Sequence, residues 1–227
     1  MAVIHRTTMS PGKLELIASW LPSKPWYRGG DAPLLAKAGG FRLDDPEGEV
    51  GIEFMVVTDT SGASLVTYQV PMTYRGMPLA SAADGLIGTS EHGVLGRRWI
   101  YDGTHDVVLV EQLLALLAGR TTAQDQNASD APDPTVEVRT GAAGMAQDLT
   151  GPGTVTVTVT DTADASLVTV GPVMDEGPVS TLTVCRVLRP GRAPEGDGSA
   201  GRVLAGWSAP DGARQHGPFA HLAASER

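Results

Sequence analysis

The chain has 227 residues, with 26 acidic against 17 basic side chains and a formal net charge of -9. Such a field repels a phosphate backbone and argues against nucleic acid as a partner. Hydrophobic residues at 41% and charged residues at 19% suit one large or two small globular domains. No apolar window approaches a membrane span, and the N-terminus lacks the basic-then-apolar order of a signal peptide, so a cytoplasmic protein without a membrane partner is expected.

Taken in chain order, residues 2–7 alternate like a short strand. "SPGKLELIASWL" then reads as a helix with Ser10 as N-cap and Pro11 at the first helical position. Leu14, Ile17, Ala18 and Leu21 fall on one face, and Pro22 and Pro25 end it. "WYRGGDAPLLAKAGGFRLDDPEGE" reads as loop-rich, with strands starting beyond it. Residues 50–58 and 64–74 form a hairpin around "DTSG", and "GTSEHG" reads as a turn with a capping serine. In the strand "GVLGRRWIYDG", Leu95, Arg97, Trp99 and Tyr101 share one face while Val94, Arg98 and Ile100 share the other. Arg97 and Arg98 therefore cannot act as a pair in one site. "THDVVLVEQLLALLAG" reads as a helix ending at Gly119, with Thr104 as cap, Asp106 in the first turn and His105 partly exposed at its start.

Residues 120–134 are polar, small and proline-containing, as a linker should be, and separate residues 1–119 from a β-rich unit at 135–227. There "TVTVTVT", "SLVTVGPV", "STLTVCRVL" and "GRVLAGWSAP" read as short strands, "PGRAPEGDGSAG" as a mobile loop and "FAHLAASER" as a last helical turn or frayed tail. The single cysteine, Cys185, excludes an internal disulfide and a multi-thiolate zinc site, and reads as a buried, inert thiol. The fold class expected is α+β: a curved antiparallel sheet with flanking helices, followed by a second small β-rich unit.

Chemistry-bearing residues concentrate in "HGVLGRRWIYDGTHD", residues 92–106. The five histidines show no spacing suited to zinc, so no metal is expected. Phosphate-loop and dinucleotide patterns are absent too, Gly151 and Gly153 having neither a third glycine nor a following helix, so no cofactor is expected. Ser90, Glu91 and His92 are consecutive, whereas a triad draws its members from separate elements, which leaves a hydrolase a remote alternative. The residues picked as a candidate ligand or partner surface are Trp26, Tyr27, Tyr74, Arg75, Arg97, Arg98, Trp99, Asp102, His105 and Asp106, with Asp102 structural first, as a turn acceptor. Aromatic side chains among them would stack on a sugar or other small ligand if the protein binds one.

"LELIASWLPSKPWYRG" resembles the opening of the actinobacterial maltokinases and related sugar kinases, whose N-terminal cap carries an L-P-x-x-R-W-F/Y-x-G signature. Leu21, Pro22, Trp26, Tyr27 and Gly29 match, and Pro25 stands where arginine is usual. "YQVPMTYRGMPL" with Tyr68 and Pro71, and "YDGTHD" leading into a helix, resemble the later part of that cap, so the likeness covers residues 1–119. It implies a cap without its kinase lobe. The lysines Lys13, Lys24 and Lys37 all precede the strands where the family places its nucleotide lysine, Arg186 being the nearest substitute. "HDVVLVEQ" imitates the catalytic loop one residue out of register and inside a helical pattern, and the chain ends where the catalytic lobe would begin. A non-catalytic cap or interaction module is therefore the leading expectation, with a sugar kinase, a glucan-metabolism enzyme or a second copy as partner.

Overall fold

The structure, a computed structural model, describes residues 8–128, 130–140, 155–172, 179–191 and 199–223. Strand β1 (Met9–Ser10) leads into helix α1 (Lys13–Trp20), β2 (Leu35–Leu43), β3 (Gly51–Asp59), β4 (Val66–Arg75), β5 (Leu86–His92) and β6 (Gly96–Asp102). A 3-10 turn at Gly103–His105 opens α2 (Val107–Leu117). Beyond it come β7 (Gln124–Asp125), β8 (Glu137–Thr140), β9 (Val155–Asp161), β10 (Ala165–Pro172), β11 (Ser180–Cys185), β12 (Val187–Leu188), β13 (Ser199–Ser208) and β14 (Arg214–Ala223). The fold is thus mostly antiparallel sheet with few helices, in the order β1-β5-β6-β4-β3-β2-β13-β14-β11-β10-β9.

Strand alternation divides the core. On β3, Ile52, Phe54 and Val56 join α2 and the second half of the chain in one cluster, while Met55 and Val57 join α1, Trp26 and Tyr68 in the other. The β3–β4 hairpin pairs Gly51 with Tyr74 through to Asp59 with Val66, as the alternation of residues 50–74 predicts. Pro71 is tolerated inside β4 because it falls between two pairings on that side, β12 at Thr67 and Tyr68 and β6 from Met72 onward.

Several expectations are corrected. α1 begins at Lys13, with Gly12 at the cap position and its N–H bound by the Glu15 carboxylate at 2.7 Å, because Ser10 is drawn into β1. Ile17 and Leu21 are buried as expected, together with Trp20, while Leu14 and Ala18 are half-buried. The stretch read as loop contains β2. Its Ala-Lys-Ala-Gly-Gly run has little strand propensity, yet the glycines are what the sheet needs there. Gly40 has φ +131, and a Cβ on it would lie 2.1 Å from the carbonyl oxygen of Phe54. Next to it Gly39 pairs with Trp207, the bridge that joins β2 to β13.

"GTSEHG" is strand rather than turn: Thr89 to Glu91 lie in the β5–β6 ladder, and the buried Ser90 hydroxyl donates to the Pro11 carbonyl at 2.7 Å. "FAHLA" belongs to β14, where Phe219, Ala220 and Leu222 are buried, so the helical turn or frayed tail is overturned over those residues. The strand expected at residues 2–7 and residues 192–198 of the loop expected at 190–201 lie outside the described residues, while Ser199 to Gly201 of that loop belong to β13. Residues 120–134 run along the sheet: Ala123 and Gln126 are buried, and β7 pairs with β2.

Strands after residue 135 extend the sheet from β13 to β9, and the path returns to the first half through β12 on β4. Gln69 reinforces that return: its backbone N–H meets the Arg186 carbonyl at 2.9 Å, and its side-chain amide donates to the carbonyls of Cys185 and Phe219. Cys185 is half-buried, and burial pushes its thiol to about 11, so it stays protonated at neutral pH.

Candidate functional site

Three polar clusters collect most of the candidate residues. The first is centred on Arg186, which follows β11 directly and is fully buried. Its Nη2 lies 2.7 and 2.6 Å from the two Asp102 oxygens and 2.9 Å from Thr104 Oγ1, and its Nε donates to Ser166 Oγ at 2.7 Å. The guanidinium stands 5.1 Å from the ring centroid of Trp26, which packs against Trp20 and Tyr68. Burial alone would raise the Asp102 carboxyl, but the Arg186 charge and its hydrogen bonds outweigh that and hold it below the usual carboxylate range.

The second cluster reverses the roles expected of Thr104 and Asp106. Asp102 caps the 3-10 turn by accepting from Thr104 N–H at 3.1 Å, and Asp106 is the N-cap of α2, accepting from Val108 N–H at 3.1 Å. The chain needs one extra tight turn to leave β6 for the helix, which moves the cap two residues on. Asp106 also takes a bidentate ion pair from Arg75 at 2.6 and 2.7 Å and a bond from Thr73 Oγ1 at 2.8 Å. His105, which lies between the two acids in the chain, is half-buried. Burial depresses its pKa, against the opposing pull of Asp102.

The third cluster surrounds Glu53, a residue the sequence reading passed over. Its carboxylate accepts from Lys13 Nζ at 2.5 Å, Tyr74 OH at 2.6 Å and Gln126 Nε2 at 2.6 Å. Burial would raise this carboxyl, and the lysines with the Tyr74 bond bring it below the usual range. At the other end of β3, the Tyr27 hydroxyl reaches the Gly30 carbonyl at 2.7 Å and Asp59 Oδ2 at 2.9 Å. A Cβ on Gly29 would lie 2.1 Å from Asp59 and 2.2 Å from the Tyr27 oxygen, which explains a glycine two residues after the tyrosine.

The remaining candidates lie apart. Arg97 is exposed over the Trp99 ring at 5.4 Å, and Arg98 donates to the Leu95 carbonyl at 2.7 Å. Ser90 and His92 share one face of β5 and Glu91 has the other, so the three do not converge.

The polar groups of residues 101–106 thus serve the architecture, and the segment that carries them ends where α2 starts. Residues 20–106 match the maltokinase N-terminal cap domain. No curated protein matches the chain. The matched segment begins at Trp20 and closes on Asp106, so it contains all ten candidate residues but not Arg186. Its core tryptophan and its Asp102 are therefore completed by a cation from outside the matched segment. The signal for Arg186 was a lone cation in the apolar run "TLTVCRVL"; for Glu53 it was a carboxylate within "GIEFMVV".

Two grooves flank β2: one of about 980 Å³ between Gln126, Thr135 and Trp207, the other of about 650 Å³ by Leu34, Lys37 and Pro210. Neither is lined by any of the ten candidates. Among the described residues no group of three or more His, Cys, Asp or Glu is placed to hold a metal ion. No helix among them is long and apolar enough to cross a membrane.

Between pH 8 and pH 3 the ionisations within the matched segment make stability fall in one direction, on acidification. His105, Glu53, Asp59 and Asp102 all have depressed pKa values in the folded chain, so each binds its proton more readily when unfolded. Their contribution is complete above the unfolded values and lost on acidification, that of His105 first, from about pH 6.5, and those of the carboxylates from about pH 4. Calorimetric melting from pH 8 to pH 3 should give a Tm that falls in those two stages, with the first stage absent in His105→Asn.

Proposed function

We propose that this chain is a non-catalytic, cap-type module that works in the cytoplasm by docking on a catalytic partner, a sugar kinase or another enzyme of trehalose, maltose or glycogen metabolism. The observation that supports it best is the cap-domain match together with the use of the segment's acids. Asp102 and Asp106 bind arginines, helix-cap amides and threonine hydroxyls, leaving the domain as a platform. On this reading residues 1–119 form the platform, 120–134 tie it down and 135–227 brace it from behind through Arg186.

The docking surface is the β5–β6 hairpin. Its turn exposes Val94 at 63% and Leu95 at 44%, and Arg97 over Trp99 lies just beyond. Exposed apolar side chains beside an arginine and an aromatic suit a protein contact. Trp26, Tyr27, Tyr74, Arg75, Asp102, His105 and Asp106 then maintain the platform, while Arg97, Arg98 and Trp99 meet the partner. Tagged protein should capture a sugar kinase or glucan enzyme from an actinobacterial lysate, and Val94→Asp with Leu95→Asp should abolish the capture at unchanged Tm. Consumption of ATP by the purified chain in the presence of maltose, lost on changing its own residues, would overturn the proposal.

A further inference from the structure

Among the described residues β9 has a single strand neighbour, β10, so its other side ends the sheet. The opposite end is built differently. There β5 carries Glu91 and His92, and β1 pairs with both. α2 and the Gly103–His105 turn lie against β9, but its sequence has none of the features that keep an edge strand from pairing. Val155–Asp161 contains no lysine, arginine, proline or glycine, and its ladder with β10 runs without a bulge. Its one charge, Asp161, is the last residue and is bound by the Ser166 hydroxyl. Thr156, Thr158 and Thr160 are exposed, whereas Val157 and Val159 pack against the main core and are only partly covered.

We propose that β9 is a self-association edge through which two copies of the chain join their sheets antiparallel about a two-fold axis at Thr158. In that register Thr156 lies opposite Thr160 of the second copy and Val157 opposite its Val159. Threonines meet threonines on the outer face and valines meet valines over the core, pairs that stabilise antiparallel sheets. The occupant follows from the pattern: an alternation of Thr and Val is its own antiparallel complement. In a chain of net charge -9 it is also a neutral strip on which two copies meet without like charges opposed. A two-fold operator closes the assembly at a dimer, since the same edge is used by both copies.

Sedimentation of the full chain at high micromolar concentration tests this directly, with Thr158→Lys and Thr158→Glu as variants. Thr158 is exposed, so at concentrations low enough for the wild type to be monomeric both should keep its Tm. The wild type should sediment as a dimer, and each variant alone should lose the dimer boundary because like charges face each other across the axis. An equimolar mixture of the two should regain it. A monomeric wild type, or a dimer that persists in both variants, would overturn the proposal.

Discussion

Arg186→Met is expected to destabilise the protein by about 3–5 kcal/mol, because it leaves the Asp102 carboxylate buried without its counter-charge. Asp102 and Arg186 are both inaccessible to solvent, so neither can turn outward to recover hydration. Adding Asp102→Asn to Arg186→Met should recover much of the loss: the amide oxygen still accepts from Thr104, and no charge stays behind. Arg186→Lys should fall between, since one ammonium cannot reach both Ser166 and Asp102 as the guanidinium does. Urea titrations of the four proteins read this directly, and equal midpoints for wild type and Arg186→Met would show that the pair holds nothing together.

Asp106→Ala should cost about 2–4 kcal/mol, combining the loss of an N-cap with that of a partly buried ion pair. The figure stays below that for Arg186 because Arg75 keeps some access to water, with 19% of its side chain exposed. Asp106→Asn separates the two parts: it retains the cap to Val108 and loses the charge facing Arg75. Amide exchange in the first turn of α2 should therefore accelerate strongly in the alanine variant and little in the asparagine variant, although both lower the denaturation midpoint.

What could be read from the sequence was local. The β3–β4 hairpin and α2 announce themselves through alternation and apolar periodicity, because each buries one face against a neighbour close in the chain. β2 was hidden by its glycines, whose reason lies on other strands, at Phe54 and Trp207. The end of β14 was misread because "FAHLA" has an alanine-rich, helix-like composition that its pairing with β13 overrides. At the candidate site, Asp102 and Asp106 were recognised as helix-start acids, but their cationic partners are set by topology. Arg75 lies on β4 and Arg186 beyond β11, and no local pattern announces either contact.

Asp102 and Arg186 are 84 positions apart in the chain. Synthesis delivers the N-terminal part first, so the carboxylate is made long before the cation it requires. Until then Asp102 gains more from water than from a low-dielectric interior, which keeps the inner face of residues 101–106 hydrated. Closure waits for residue 186, and as a long-range pairing it comes late and slowly. The nascent first half is thereby exposed to chaperones and proteases for as long as its counter-ion is missing.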